Sequence, residues 1–151
     1  MSNISVRQAV LSDLDELAPL FNQYREFQGK ASDLAGARAF LRARFDHAES
    51  VVFIAHDEAV AVGFAQLYPS FSSVSLARVF VLNDLYVHAA GRRTGVASKL
   101  LAAVEEFAWS LDAARVTLNV ARENKPGQAL YEALGWRQDV QFFMYHRFPD
   151  G

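Results

Sequence analysis

The 151-residue chain has no cysteine. That absence excludes disulfides, thiolate nucleophiles and cysteine metal ligands, and with them the small secreted disulfide scaffolds, so a reducing, cytoplasmic setting is expected. Long hydrophobic runs are also missing. No apolar stretch reaches the roughly 20 residues that span a bilayer, and no basic segment followed by an apolar run opens the chain, so neither a membrane anchor nor a leader is expected. A strong charge of one sign is lacking too: at a formal net charge of -2 there is no basic field for wrapping phosphate backbones, and no nucleic-acid partner is expected. The histidines, His47, His56, His88 and His146, show no ligand spacing, so no metal site is expected. Prolines and glycines are too scattered to form a linker, and no internal period appears, so one domain over residues 1–151 is the expectation. What is present is ordinary globular usage, 52% hydrophobic and 21% charged.

Patterning along the chain reads as mixed α/β. Ile4, Val6 and Ala9 with Val10 mark a first strand, and Ser12 with Asp15 resembles a capping box opening a helix. Leu14, Leu17, Ala18, Phe21 and Tyr24 keep helical spacing up to a break at Gly29 and Lys30; Ala37, Phe40, Leu41 and Phe45 mark a second helix. Val51–Ala55, Ala59–Tyr68 and Val74–Val87 read as strands, antiparallel because their connections are short. The clearest helix runs from about Gly95 to Leu111, with Ala97, Leu100, Leu101, Val104, Phe107 and Ala108 on one face. A strand over Arg115–Val120, a short helix over Gln128–Leu134 stopped by Gly135, and a last strand over Val140–Phe148 complete the pattern. The long helix between two strands is sufficient for a right-handed crossover joining parallel neighbours.

One stretch carries chemistry: Asn83-Asp84-Leu85-Tyr86-Val87, then His88-Ala89-Ala90-Gly91, then Arg92-Arg93-Thr94-Gly95-Val96-Ala97. A strand ends, a loop turns and a helix begins. First-turn N–H groups have no partner within a helix and lie at its positive end, which makes a glycine-containing entry a cradle for phosphates. Arg92 and Arg93 add charge-assisted donors for an anion. On residue chemistry alone, a solvated basic helix start, with Gly95 merely packing on the strand, fits equally well.

Arg92-x-x-Gly95-x-Ala97 resembles the acetyl-CoA signature of the GNAT acetyltransferase superfamily, Arg/Gln-x-x-Gly-x-Gly/Ala. The similarity extends to the strand ending Leu85-Tyr86-Val87, to the amphipathic helix, and to Asn124 followed by Ala129-Leu130-Tyr131-Glu132-Ala133-Leu134-Gly135-Trp136. It covers roughly residues 79–137. The resemblance implies a single-domain fold with a mixed, mostly antiparallel central sheet, a splayed parallel strand pair and flanking helices. It implies acetyl-CoA as donor cosubstrate, with the pyrophosphate on backbone amides between Arg92 and Ala97 and the pantetheine along Leu85, Tyr86 and Val87. A primary amine is the implied acceptor. The strand ending Asn-Asp-Leu-Tyr-Val is nearest to the branch acetylating polyamines and basic protein tails.

Roles follow from the same resemblance. Tyr131 occupies the place of the family's general acid, where a phenol can protonate the departing thiolate; Asn124 either bonds the pantetheine or caps the next turn. Asp84 either takes the ammonium proton or holds the loop through backbone hydrogen bonds, with Glu123 a weaker candidate base. Tyr24, Phe27, Gln28, Tyr68, Phe71, Ser72 and Ser73 are nominated for the acceptor pocket. The apolar segment Phe142-Phe143-Met144-Tyr145 and the family suggest a homodimer. A non-catalytic acetyl-CoA sensor is the alternative, and retention of Tyr131 favours the enzyme.

Overall fold

The central sheet of the computed structural model, which describes residues 3–92 and 94–150, has the order β1-β2-β3-β4-β5. β1 (Ile4–Gln8), β2 (Val51–Asp57), β3 (Val60–Ser72) and β4 (Ala77–Val87) are antiparallel neighbours. Short connections allow nothing else for β2 to β4. β5 (Arg115–Leu118) lies parallel to β4 and is reached through helix α3 (Val96–Ser110). The expected mixed sheet with one parallel pair is therefore the observed one.

Alternation sorts the core into two layers. Val52, Ile54 and Phe64 pack with Leu14, Leu17, Leu20 and Phe21 of α1 (Leu14–Phe27) and with Ala37 and Leu41 of α2 (Leu34–Asp46). On the other side Phe53 and Phe80 meet Phe107 of α3 edge-on, at ring separations of 5.7 and 5.5 Å. Leu100, Leu101, Val104 and Ala108 of α3 are fully buried. The three-four spacing of α3 thus becomes one packed stripe.

Residues 120–151 form a second compact unit. It contains α4 (Lys125–Ala133), whose N-cap Asn124 accepts the Gly127 N–H at 3.1 Å. The helix stops at Gly135, which adopts φ +94°; Gly135 N–H bonds to Glu132 O and Trp136 N–H to Tyr131 O, the paired bonds of a Schellman stop.

Three expectations are displaced. The N-cap position of α1 is held by Asp13 rather than Ser12, and its side chain does not cap the helix: the carboxylate reaches back to accept the Val10 N–H at 2.8 Å and binds Arg7 through both oxygens, at 2.7 and 2.8 Å. Pro69 does not end β3, which continues to Ser72; beyond Leu67 the strand has only β4 as partner, an edge where a missing N–H is tolerated. The run Val140–Phe148 is not a strand. It has no ladder partner among the described residues, and an extended segment cannot close its own backbone hydrogen bonds.

Candidate active site

β4 departs from regularity at one residue. Gln66 pairs with Asp84 and Leu67 with Leu82, so Asn83 is an extra residue in β4, a bulge. Bulges bend a strand and increase its twist. The β4–β5 ladder ends at Leu82↔Leu118, where the bulge begins, yet β4 continues to Val87 along β3. His88 N–H bonds to Val62 O of β3 at 2.8 Å. By the period of two, the main-chain groups of Leu85 and Val87 therefore face away from β3, along an edge without a neighbouring strand. Val87 O accepts Arg92 Nε at 3.0 Å; among the described residues the Leu85 N–H and C=O have no partner on that edge.

The strand then turns into α3 through a tightly held loop. Gly91 is buried, and a Cβ there would lie 3.0 Å from the Val62 Cβ; the Thr94 hydroxyl donates to Gly91 O. Gly95 is the N-cap of α3, with φ +83° and open space around it, and it brings no side-chain cap. The first α3 bond is Lys99 N–H to Gly95 O. The N–H groups of Val96, Ala97 and Ser98 are consequently free for an anion at the positive end of a four-turn helix. Open edge and uncapped amides together fit an extended arm that leads into a pyrophosphate, as the pantetheine of acetyl-CoA does.

Arg92 does not extend toward those amides. Its guanidinium lies 5.7 Å from the Phe27 ring centroid and 6.0 Å from that of Tyr86. Arg93 falls outside the described residues. Tyr24, Phe64 and Tyr86 form an aromatic cluster with centroids 5.9 to 6.4 Å apart, Tyr24 meeting the other two edge-on, and Phe27 joins it 6.5 Å from Tyr86. The Tyr24 hydroxyl donates to Asn83 O at 3.4 Å.

Beneath this cluster lies the one buried carboxylate of β4. Asp84 is 4% exposed and accepts Gln66 Nε2 at 2.7 Å and Asn83 Nδ2 at 3.0 Å. Burial pushes its carboxyl above the ordinary range, while hydrogen bonds from Gln66, Tyr24 and Asn83 pull the other way. Burial, with the neighbouring Asp84 charge, also raises the Tyr68 phenol to about 12, against the opposing pull of Arg44. A carboxyl so placed has raised affinity for a proton and an incentive to neutralise its charge, the properties of a base that accepts from an ammonium.

Not every nominated residue converges here. Tyr24 and Tyr68 border Asp84, whereas Gln28 is the exposed C-cap residue of α1. Phe71 and Ser72 pair with Arg78 and Ala77 at the tip of the β3–β4 hairpin, away from the open edge, where Ser72 Oγ accepts the Ser75 N–H. Within the second unit, the Tyr131 ring lies tilted against Trp136 with centroids 6.0 Å apart, and burial raises its phenol above the usual value. Asn124 spends its carbonyl oxygen on the Gly127 cap. Two features escaped the sequence reading, the bulge at Asn83 and the partner Gln66. The signal for Gln66 was a polar residue at an inward position of an otherwise apolar strand; the bulge had none, since Asn83 is exposed.

The acetyltransferase (GNAT) family profile matches residues 14–136. The chain is 46% identical over 142 residues to YhfO of Bacillus subtilis, an uncharacterized N-acetyltransferase, covering 94% of this chain and 95% of that protein. It is 26% identical over 147 residues to aminoglycoside N(6')-acetyltransferase type 1 of Salmonella typhimurium, covering 95% and 99% respectively. Among solved structures, that of a probable acetyltransferase superimposes with a TM-score of 0.88 at 42% identity, over 95% of this chain and 96% of that one. Profile, relatives and fold agree: this chain belongs to the acetyltransferase (GNAT) family.

Proposed function

We propose that this acetyltransferase takes acetyl-CoA as donor and passes the acetyl group directly, within a ternary complex, to a primary amine of a small polycation of polyamine or aminoglycoside type. The observation that supports it best is the bulged β4, whose unpartnered Leu85 edge runs toward the uncapped amides of Val96, Ala97 and Ser98 with the Asp84 carboxylate alongside. Acetyl-CoA supplies the thioester carbonyl. The Leu85 and Val87 main chain aligns the pantetheine, and the α3 amides hold the pyrophosphate. Arg92 adds a cation at the loop between them.

An acceptor amine arrives as an ammonium and must lose a proton before its nitrogen can attack. Asp84 takes that proton, directly or through water, becoming a neutral acid in a site that favours the neutral form. The C–N bond forms, the C–S bond breaks, the Tyr131 phenol donates a proton to the leaving sulfur, and the second proton shed by the new amide nitrogen passes through water to restore the phenol. A raised phenol pKa keeps that proton in place at neutral pH. The Tyr24, Phe27 and Tyr86 rings and the Asp84 charge suit a cationic acceptor through ring faces and Coulomb attraction. The aminoglycoside relative supports that class, and the Asn83–Val87 strand motif supports polyamines within it. A cytoplasmic location follows from the same reading and is supported by the cysteine-free composition. A homodimer is part of it too, supported by the exposed apolar Phe142, Phe143 and Tyr145.

The test is release of CoA thiol from acetyl-CoA against polyamines, aminoglycosides, amino acids and lysine peptides, with products weighed by mass spectrometry. A mass gain of one acetyl on a polycation is the expected result. Transfer only to neutral or anionic amines overturns the acceptor class, and no binding of acetyl-CoA overturns the donor.

A further inference from the structure

A buried base must be housed both charged and neutral. The β3 residue opposite Asp84 across the ladder is Gln66, which is fully buried, with its Nε2 2.7 Å from Asp84 Oδ2. Its other amide atom, Oε1, is buried and has no hydrogen-bond partner among the described residues. A buried acceptor left unpaired is costly, and native cores seldom keep one without a use. Phe64, two residues from Gln66 on the same face of β3, is fully buried as well. A leucine or methionine of similar size would fill the position without an orphan oxygen.

We propose that Gln66 is the positioning residue that holds Asp84 in both of its protonation states. A primary amide has a donor end and an acceptor end. Toward the carboxylate it presents Nε2, as observed. When Asp84 takes a proton from the acceptor ammonium, the amine becomes neutral and the carboxyl carries an O–H; a half-turn of the amide then lets the orphan Oε1 accept that O–H. Each state keeps one bond and leaves one amide end unpaired, the charge-assisted bond to the carboxylate being the stronger, so the proton can arrive and leave without stranding the carboxyl. No lysine, arginine or alkyl side chain at this position serves both states, because none offers both a donor and an acceptor. The other groups facing Asp84 are Tyr24 from α1, Tyr68 from β3 and Asn83 within β4, with Arg44 of α2 acting on Tyr68. Burial keeps the Tyr68 phenol protonated through the working range, and Asn83 binds Oδ1, so Gln66 alone presents an amide to Oδ2.

This inference rests on Asp84 acting as the base, and one set of measurements separates the two. In protein labelled with carbon-13 at aspartate carboxyls, the Asp84 titration is followed by NMR in the native chain, in Gln66→Leu and in Gln66→Met, alongside the pH profile of kcat/KM with the best acceptor. Removing the donor to the charged form should raise the Asp84 midpoint by about one pH unit in either variant, with the acidic limb of kcat/KM following it. Methionine is the closer match in shape, so it provides the answer if leucine impairs folding. An unmoved Asp84 midpoint overturns the role of Gln66, whatever happens to activity. A raised midpoint with an unmoved acidic limb upholds Gln66 as the partner of Asp84 and overturns Asp84 as the base, as does an unchanged kcat/KM profile in Asp84→Asn.

Discussion

Two carboxylates show how the same side chain is tuned in opposite directions by its neighbours. Asp13 is bound by both arms of the Arg7 guanidinium, which, with the Val10 N–H, holds its carboxyl down at about 2 despite its burial. Folding therefore favours its charged form: the stability is present above the ordinary carboxylate range and lost as pH falls through about 4 toward 2. Asp13→Asn should cost about 2 kcal/mol at pH 7, and the gap from the native chain in denaturant melts should close as pH approaches 2. Asp84 has the reverse sign. Its raised pKa means the native state prefers the neutral acid, so at pH 7 the charge is a liability, and the stability it withholds is greatest above its folded midpoint. Asp84→Asn should raise the thermal midpoint by about 2 °C or more while lowering kcat/KM on the order of 100-fold. A loss of stability with intact turnover would assign Asp84 to holding the loop instead. Nothing in the sequence separated these two aspartates. Both lie beside turns or strand ends in mixed surroundings; the sign at Asp13 depends on Arg7, 6 residues away, and the sign at Asp84 on burial that prevails over the opposing bond from Gln66, 18 residues away.

At the scale of elements, the site is made by irregularity in β4 and by what α3 lacks. A regular β4 would keep its ladder with β5; the bulge at Asn83 ends it and leaves the Leu85 edge open. A capped α3 would have satisfied its own first-turn amides. Gly95 adopts φ +83° and has open space where a Cβ would stand, so Gly95→Glu should fold with a strain cost of about 1 to 2 kcal/mol. The carboxylate it adds at the phosphate amides should abolish acetyl-CoA binding in calorimetry, and retained affinity would place the pyrophosphate elsewhere. On α4 the corresponding test is Tyr131→Phe, which should lower kcat roughly 100-fold with little change in acetyl-CoA affinity; an unaltered kcat would leave the phenol a packing role against Trp136. The helices were readable because apolar residues recur at three and four, and the Gly29 and Gly135 stops because the chain there requires positive φ. The bulge was not, since one additional residue in a strand becomes visible only against its partner.

For the whole molecule, the open question of assembly centres on the second unit. Phe142, Phe143 and Tyr145 are exposed at 78%, 89% and 90%, more apolar area than an isolated chain ordinarily leaves in water. Sedimentation at micromolar concentration should accordingly give twice the chain mass, and Phe143→Asp should return it to one; a monomer in the native chain would remove the homodimer. The sequence by itself determined the family and the order of elements, because the Arg92-x-x-Gly95-x-Ala97 entry, the hydrophobic periods and the Asn124 to Trp136 stretch are local patterns, each legible within a few turns of chain. It also determined that disulfide and cysteine-metal chemistry are impossible. Only the tertiary structure decided which edge of β4 is open, which carboxylate is buried and what touches it. Those properties arise where β3, β4 and α1 meet across up to 59 residues of chain, and no local pattern carries information about a partner that far away.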